Sequence, residues 1–264
     1  MLADKEQILR KYETANEEGR AERSRSEALE FHYTKRHLSK FVKPDSRVIE
    51  IGCGTGYYGM YFADKCAEYF GVDLVPSQIE IFREKIAAAG LKNVSCACGD
   101  ATDLPDVADN SFDVVLCLGP MYHLSESERQ KAFSECARIC RPGGVAAFAY
   151  ITSCGAYIGA CVNFSDIWPN EQTNRNVLGL GTDDIRPGLF WYNMPEGIEA
   201  EAAPHGFEKI VDLGTDFFVL NEVVNAMDDE RFELIRPLYD RIASSESCTG
   251  LSNHALLICK RKDL

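Results

Sequence analysis

The chain has 264 residues, of which 45% are hydrophobic and 26% charged, a composition typical of a globular protein that can bury a full core. Its 41 acidic residues outnumber the 28 Lys and Arg residues, which gives a formal net charge of −13. This charge repels phosphate backbones, so nucleic acid is not an expected partner, although net charge does not exclude a local basic patch.

The N-terminal stretch MLADKEQILRKYE is charged and lacks the apolar run of a signal peptide. No segment reaches the length of a membrane span, so no membrane partner is expected. The 11 cysteines are scattered, odd in number and mostly inside apolar runs, which favours reduced thiols. Together these features predict a cytoplasmic protein.

Residues 1–43 are predicted to form an N-terminal helical lid. The first thirty are polar and rich in Glu and Arg, with weak helical periodicity, and the amphipathic segment EALEFHYTKRHLSKFV follows. Pro44 and Asp45 then end the helical pattern. Residues 1–30 are too polar to build a core, and mobile lids are drawn from such weakly stabilised segments.

Residues 44–152 alternate between short apolar runs and helical patterns, and they are predicted to form the ligand-binding core. The runs, in order, are RVIEI, YFGVD, VSCACGD, FDVVLCLG and VAAFAYI. Strands and helices that alternate at this spacing predict βαβ units and a parallel sheet with right-handed crossovers. The expected fold class is therefore α/β, with a doubly wound, Rossmann-like, seven-stranded and mostly parallel sheet.

The alternation fails after about residue 152. Residues 153–203 contain both tryptophans and no clear strand, so they are predicted to form a cap inserted over the carboxyl edge of the sheet. Residues 204–264 resume the pattern with HGFEKIVDLGTDFF, a helical stretch from about Val219, and NHALLICKR as a last strand. The whole chain is thus predicted to be one elaborated domain.

A glycine corner follows the first predicted strand in the stretch VIEIGCGTGYYG, at Gly52, Gly54 and Gly56. Ligands of open α/β sheets bind beyond the carboxyl ends of the strands. Glycines there allow the backbone to approach a ligand closely and direct helix N–H groups at it. The corner therefore predicts a ligand-binding site.

The spacing of the corner argues against a nicotinamide dinucleotide. A dinucleotide fingerprint has the pattern G-x-G-x-x-G, and its third glycine would fall at Tyr57 in this chain. Glu50, two residues before the corner, would repel phosphate but attract an ammonium group.

Two carboxylates end the next predicted strands. Asp73 lies 21 residues after Gly52, which suits hydrogen bonds from a ribose. Asp100 ends the third strand, where a carboxylate can accept a hydrogen bond from an adenine amine. These features predict a nucleoside ligand with an amine and without phosphate.

Five motifs in order resemble the class I S-adenosylmethionine-dependent methyltransferases: VIEIGCGTG, YFGVD, CGDATDLP, FDVVLCLG and CRPGG. The resemblance spans roughly residues 45–150. The stretches LGPMYHL and SNHALLICKR are similar to a bacterial group of small-molecule methyltransferases. In that group an arginine precedes an LEF stretch, and the matching residues here are Arg20 and residues 29–31.

The resemblance implies S-adenosylmethionine as cofactor, S-adenosylhomocysteine as product, and a set of binding residues. The glycines would carry the methionine portion, with Glu50 near its ammonium group, and Asp73 would hold the ribose hydroxyls. The expected cofactor-binding residues are Arg20, Glu50, Gly52, Gly54, Gly56, Asp73, Leu74, Asp100, Ala101 and Leu118.

Arg20 has two readings. Its guanidinium could meet the cofactor carboxylate, because carboxylate–guanidinium pairs are favourable when sheltered from water. Alternatively, it is a surface arginine paired with Glu17 or Glu18, since exposed ion pairs are common.

The candidate catalytic residues are His123 and Tyr122, which follow the fourth strand. His123 could remove a proton from the substrate or hydrogen-bond the backbone of its loop. Tyr122 could form part of the substrate wall or simply pack. The aromatic residues that could line a substrate pocket or belong to the core are Phe31, Tyr33, Tyr150, Trp191 and Tyr192.

No metal site is predicted, because Cys136 and Cys140 share a helix face with apolar residues, which favours packing over metal binding. The GPMY segment departs from the [Asp/Asn]-Pro-Pro-[Tyr/Phe] loop of methyltransferases acting on planar amines, because Gly119 replaces the side chain that holds the amine.

The predicted function is S-adenosylmethionine-dependent methyl transfer to a small molecule by in-line displacement. The alternatives are a non-catalytic S-adenosylmethionine-binding module, an RNA methyltransferase and a nicotinamide oxidoreductase. The sequence does not identify the acceptor atom or the oligomeric state.

Overall fold

The computed structural model describes residues 5–14, 17–182 and 187–263. The remaining residues of the predicted lid (1–4 and 15–16), of the predicted cap (183–186) and of the C-terminal segment (264) lie outside the described residues.

A single sheet organises the described chain. Its strands are β1 (Arg47–Ile51), β2 (Glu68–Asp73), β3 (Val94–Cys98), β4 (Phe112–Cys117), β5 (Cys140–Thr152), β6 (Tyr192–Asn193), β7 (Phe207–Gly214) and β8 (His254–Arg261). The strand order is β3-β2-β1-β4-β5-β8-β7, and β6 pairs with β5 off this path. Strand β8 is antiparallel to β5 and β7, whereas the other pairs are parallel. The predicted mostly parallel α/β sheet is confirmed, and β6 is a two-residue strand inside the segment where none was predicted.

Helices cover both faces of this sheet. In the described part of the chain they are α1 (Lys5–Thr14), α2 (Arg20–Arg23), α3 (Arg25–Leu38), α4 (Tyr57–Phe62), α5 (Pro76–Ala88), α6 (Glu126–Ile139), α7 (Ser153–Asn163), α8 (Glu171–Arg175), α9 (Pro195–Ala202), α10 (Asn221–Ala226) and α11 (Asp229–Ile242). None of these helices is long and apolar enough to cross a membrane.

The nearly all-apolar sequence of β4 follows from burial on both faces. Val114 and Leu116 pack in the cluster formed with α3, α4 and α5, whereas Val115 and Cys117 pack in the cluster formed with α6 and α9. Alternate residues of a strand point to opposite faces, so a central strand between two helical layers favours apolar residues at successive positions.

Short sequence signals set the ends of the helices that lie next to the site. Helix α6 begins with a capping box, in which the Ser125 backbone N–H donates to the Glu128 side chain at 3.0 Å. Helix α5 begins with Pro76 and ends just before Gly90, whose φ of 64° is the left-handed conformation that stops a helix.

The structure assigns parts of the predicted lid and cap to the core. Helix α3, within residues 1–43, buries Leu29, Phe31, Tyr33 and Leu38. Helix α9, within residues 153–203, packs with the sheet through buried Ile198 and Ala202. In the described chain, the helices that precede the core therefore reduce to α1 and α2, and the cap to the segment before α9.

Gly56 has a structural reason to be glycine. It caps α4 with a φ of 81°, and a Cβ there would lie 2.0 Å from the ring of Phe82. Phe82 is fully buried on α5, so its ring has little room to retreat. Gly90 also has a positive φ, but a Cβ there would meet no atom within 4 Å.

We expect Gly56→Ala to destabilise the protein more than Gly90→Ala. Left-handed strain alone costs about 1–2 kcal/mol, and overpacking against Phe82 adds about 1–3 kcal/mol at position 56 only. Urea denaturation of both variants measures the two losses. Equal losses would show that the contact with Phe82 does not constrain this corner.

Candidate active site

The carboxyl ends of the parallel strands open on a cavity of about 200 Å³. Tyr122 and His123 line it, as do nine of the ten residues expected to bind the cofactor: Arg20, Glu50, Gly52, Gly54, Asp73, Leu74, Asp100, Ala101 and Leu118. Gly56 is the exception, because it packs against Phe82 instead. Residues distant in sequence meet here because the ends of parallel strands share one edge.

The glycine corner lies against the turn that follows β4. Gly52 has a φ of 81°, and a Cβ there would lie 2.5 Å from Pro120 and 3.0 Å from the Cα of Gly119. Gly54 also has a positive φ, but a Cβ there would meet no atom within 4 Å. The corner is thus closed on the β4 side, whereas Gly54 lies beside open space in the cavity lining.

Asp73 fixes the corner to the end of β2. Its Oδ2 accepts a hydrogen bond from the Gly54 backbone N–H at 2.8 Å, and its Oδ1 accepts one from the Val75 N–H at 2.9 Å. Burial raises the pKa of the Asp73 carboxyl, and these N–H groups oppose that effect. The Asp73 carboxylate therefore fixes the loop of the glycine corner and also forms part of the cavity wall.

Glu50 lies beneath the corner and is only 1% exposed. Its Oε2 accepts a hydrogen bond from the Tyr69 hydroxyl at 2.6 Å, and burial raises the pKa of the carboxyl to about 8. Its hydrogen-bond partner is thus a neutral hydroxyl rather than a basic side chain.

Asp100 lines the cavity on the side of β3. It accepts hydrogen bonds from the Thr102 N–H at 2.9 Å and the Thr102 hydroxyl at 2.8 Å, and it forms an ion pair with Lys5 of α1. Although burial raises the pKa of the Asp100 carboxyl, the hydrogen bonds from Lys5 and Thr102 hold it below its ordinary value.

Helix α1 lies over the cavity. Lys5, Ile8 and Tyr12 line the cavity, and the Gln78 amide of α5 donates a hydrogen bond to the Tyr12 carbonyl at 3.0 Å. Ile8 packs with Leu189 of the cap segment. The polar N-terminal segment thus includes a helix that covers the site.

His123 connects the loop after β4 to both α1 and the cap. Its Nδ1 lies 2.7 Å from the Leu189 carbonyl oxygen, which can only accept, so Nδ1 carries the proton. Burial lowers the pKa of the imidazole to about 4, so the ring is neutral and Nε2 accepts from the Tyr12 hydroxyl at 2.7 Å. Both ring nitrogens are occupied, and the backbone group that His123 binds belongs to the cap rather than to its own loop.

Arg20 lines the cavity and is paired with acidic residues. It forms an ion pair with Glu30 of α3 and lies 3.6 Å from Glu17, with its guanidinium over the ring of Phe31. Glu17 was one of the two partners considered from the sequence, whereas Glu30, ten residues away, was not.

Sequence reasoning missed a second histidine in the cavity wall, His254 at the start of β8. Its Nδ1 lies 3.1 Å from Oδ2 of Asp216 and 3.8 Å from Glu30. The available signal was a polar SNH triplet before an apolar strand, but its meaning depends on the strand being antiparallel. The ligand atoms of Glu30, Asp216 and His254 lie within 4.8 Å of one another, close enough to hold a metal ion, although no metal site was predicted.

The aromatic residues that could line a substrate pocket lie in different parts of the structure. Phe31 lines the main cavity, whereas Tyr33 and Tyr150 are core residues, 0% and 2% exposed. Tyr192 lines a second cavity of about 240 Å³, formed mainly between α7 and the rest of the cap segment. The buried indole N–H of Trp191 has no hydrogen-bond partner among the described residues.

The cavity fits the cofactor implied by the sequence. The space beside Gly54, which a Cβ would enter, lies next to the carboxylate of Asp73. Glu50 supplies a buried acid that a cation would stabilise in its charged form. The side-chain Oε1 of Gln78, in the cavity wall, lacks a hydrogen-bond partner among the described residues.

Comparisons with known proteins agree with this geometry. A family profile described as "Methyltransferase domain" matches residues 48–144. "Methyltransferase GfsG" of Streptomyces halstedii is 35% identical over 112 residues, which cover 42% of this chain and 39% of GfsG. The chain therefore spans about two fifths of that relative. Another matched relative is named for an RNA acceptor, the "Probable tRNA methyltransferase 9B" of Mus musculus.

Two further matches extend over most of the chain. "Uncharacterized protein RP028" of Rickettsia prowazekii is 31% identical over 198 residues, covering 69% of this chain and 74% of that protein. The crystal structure of PH0226 from Pyrococcus horikoshii has the same fold, with a TM-score of 0.62, 17% identity and coverage of 96% and 99%. The methyltransferase profile and the relatives named as methyltransferases, together with the glycine corner and the order of the strands, show that the chain belongs to the class I S-adenosylmethionine-dependent methyltransferases, enzymes that transfer a methyl group from S-adenosylmethionine.

Proposed function

We propose that this methyltransferase acts on a small molecule. The observation that carries the proposal is the cavity of about 200 Å³ covered by α1, whose Tyr12 is tied through His123 to the cap. A covered cavity suits an acceptor that is enclosed during reaction, because exclusion of water strengthens electrostatic interactions around it.

Within this proposal, residues of the parallel strand ends hold the cofactor. Asp73 accepts hydrogen bonds from the ribose hydroxyls, Glu50 faces the ammonium group, and Asp100 with the Ala101 N–H holds the adenine. The Leu118 carbonyl, at the end of β4, lies on the side of the ammonium group. When bound, S-adenosylmethionine supplies an electrophilic methyl group on a positively charged sulfur.

The protein's main contribution is positioning. The methyl group already has a good leaving group, so the walls of the cavity need to hold the acceptor in line at about 3 Å and keep water out. Gly119, Pro120 and Tyr122 line the cavity beside the glycine corner, where an acceptor would be held.

Arg20 remains a candidate partner for the cofactor carboxylate. It already lines the cavity, and its guanidinium has five N–H donors, enough to bind a carboxylate of the ligand while the pair with Glu30 is kept.

The alternatives receive less support. An RNA acceptor would have to approach a chain with a net charge of −13, at an opening where Glu17 and Glu30 line the wall. A non-catalytic binding module is expected to fill the space above Gly119, whereas that glycine lines the cavity.

A labelling experiment tests the acceptor class. The protein is incubated with methyl-labelled S-adenosylmethionine and, in parallel, with fractionated small metabolites or total RNA. We expect label in one or more small molecules, identified by mass spectrometry, and none in RNA. Label in RNA alone would refute the proposal.

We expect Asp73→Ala to weaken S-adenosylhomocysteine binding about 10- to 150-fold. The variant removes charge-assisted hydrogen bonds, worth about 1.5–3 kcal/mol, and tenfold corresponds to about 1.4 kcal/mol. Calorimetry measures the affinity, with Asp106→Ala, an exposed aspartate outside the cavity lining, as the matched control. Equal affinities for the two variants would exclude Asp73 from the binding site.

Cofactor binding should release a proton from Glu50. Because the pKa of this carboxyl is about 8, it is mostly protonated at pH 7, and a bound ammonium group would favour the ionised form. Affinity should therefore rise with pH up to about 8 and level off above it, by at most about tenfold per pH unit.

Calorimetry in phosphate and in Tris at pH 7 detects the proton, because the two buffers differ in ionisation enthalpy. The observed binding enthalpy should differ between the buffers for the unmodified protein but not for Glu50→Gln. No buffer dependence in the unmodified protein would mean that Glu50 does not meet a cation.

A further inference from the structure

The pair formed by Asp216 and His254 lies at the active edge of the sheet. Asp216 follows the end of β7, and His254 begins β8, opposite Ile151 of β5. Because β8 is antiparallel, its first residue lies at the edge where the parallel strands end. His254 therefore lines the cavity two strands away from β4 and from Leu118, the residue that follows β4.

Asp216 fixes the orientation of the His254 ring. Its Oδ1 accepts the backbone N–H of His254 at 2.6 Å, and its Oδ2 lies 3.1 Å from Nδ1. Asn253 lies against the same pair, with its amide nitrogen 3.3 Å from Oδ2 of Asp216 and 3.0 Å from Nδ1 of His254. The two contacts of Nδ1 compete, because the carboxylate can only accept a hydrogen bond and the amide nitrogen can only donate one. We assign the Nδ1 proton to the bond with Asp216, since the charged partner forms the stronger hydrogen bond, and the lone pair of the neutral ring is then on Nε2.

The Nε2 atom of His254 is available to a ligand. It lies on the side of the ring away from Asp216, and no described residue forms a hydrogen bond with it. His254 lines the cavity and its side chain is 18% exposed, which leaves the ring edge opposite Asp216 facing the cavity. His123 differs, because both of its nitrogens are hydrogen-bonded.

We propose that His254, positioned by Asp216, is the general base of this methyltransferase and that its acceptor is a phenolic hydroxyl group. This inference rests on the proposed function and replaces His123 as the candidate base. An imidazole oriented by a carboxylate is the arrangement that hydrolases use to deprotonate a hydroxyl.

The acceptor class follows from the need for a base. A carboxylate is already ionised at neutral pH and a neutral amine attacks through its lone pair, whereas a phenol, with a pKa near 10, must lose its proton to become a strong nucleophile. The rings of Tyr122 and Phe31 in the cavity wall suit a flat aromatic acceptor.

The proposed step couples methyl transfer to loss of the acceptor proton. The acceptor oxygen forms the new C–O bond with the methyl carbon, and the electron pair of the breaking C–S bond stays on sulfur. The acceptor proton passes to Nε2 of His254, whose positive charge Asp216 stabilises. The imidazolium then loses this proton to water when the site opens.

Charged groups on several elements face the His254 ring. Glu30 of α3 and Asp216 are acidic, Arg20 of α2 is basic, and the Tyr122 ring lies 6.0 Å away. Burial lowers the pKa of the imidazole, but Glu30 and Asp216 outweigh it and raise the pKa above its ordinary value. The imidazolium formed by proton transfer is thus stabilised where it forms.

A metal ion at Glu30, Asp216 and His254 is the competing use of the same cluster. The guanidinium of Arg20 already neutralises Glu30, and a metal would have to displace the proton that Nδ1 shares with Asp216. These contacts favour proton transfer over metal binding.

The test compares His254→Gln and Asp216→Asn with His32→Gln, an exposed histidine on α3 that serves as the matched control. First, nitrogen-15 NMR of the histidine rings should show His254 with its neutral-form proton on Nδ1 and a pKa above that of His32. In Asp216→Asn this pKa should fall. A neutral His254 with its proton on Nε2 would overturn the proposal without any activity measurement.

Second, diethyl pyrocarbonate and peptide mapping test the accessibility of Nε2. His254 should be modified while His123 is spared, and S-adenosylhomocysteine affinity should stay within about threefold in every variant. Modification of His123 in preference to His254 would contradict the assignment of the free nitrogen.

Third, methyl-labelled S-adenosylmethionine is supplied with a panel of simple phenols, amines and carboxylates. Label should enter phenols, kcat should fall about 10²- to 10⁴-fold in His254→Gln with little change in KM, and His32→Gln should match the unmodified protein. Three results would each overturn the assignment of His254 as the general base. They are undiminished turnover in His254→Gln, label confined to amines or carboxylates, and activity that is lost with EDTA and restored by a divalent metal. Failure of the proposed function is distinct, because the unmodified protein would then label no small molecule at all.

Discussion

The close contact between Gly52 and the turn at Gly119 and Pro120 is the constraint on which the site depends. No side chain fits at Gly52, since a Cβ would lie 2.5 Å from Pro120, so the loops after β1 and β4 share one surface. This contact brings Leu118, Tyr122 and the glycine corner to one cavity. Because β1 and β4 are neighbours in the sheet, the cofactor side and the acceptor side of the site are built from adjacent strand ends.

Five carboxyl groups in or next to the cavity are balanced by three physical means: burial, backbone N–H groups and basic side chains. Glu50 is kept protonated by burial, and Asp73 is held by backbone N–H groups. The other pairings are Asp100 with Lys5, Glu30 with Arg20, and Asp216 with His254. Three of the five balancing groups therefore come from side chains that a bound ligand can displace or titrate, which makes the charge of the site responsive to its occupant.

The central sheet was predictable because its signals are local. The apolar runs at β1 and β4, the glycine corner and the carboxylates at Asp73 and Asp100 carry their meaning in a few residues. Strand and helix alternation then orders them, and the shared edge of a parallel sheet brings them together.

The remainder depends on tertiary contacts that no local pattern encodes. His254 was missed because only the antiparallel direction of β8 places the start of that strand at the active edge. Helix α9 was assigned to the cap because its short sequence does not reveal that Ile198 packs against the sheet. The partner of Arg20 is set by how α2 and α3 cross, which brings Glu30 within reach across ten residues.

His123 acts as a latch common to α1 and the cap, because one ring nitrogen holds Tyr12 and the other holds Leu189. Releasing α1 leaves a buried lone pair without a donor, at a cost of about 1–3 kcal/mol. If this bond alone held α1 down, roughly one molecule in six to one in 140 would be open at a given moment, since 1.4 kcal/mol is a factor of ten. Cofactor and acceptor then enter and leave through the same opening. S-adenosylhomocysteine and the methylated product can both leave only from the minor fraction of molecules in which α1 is open.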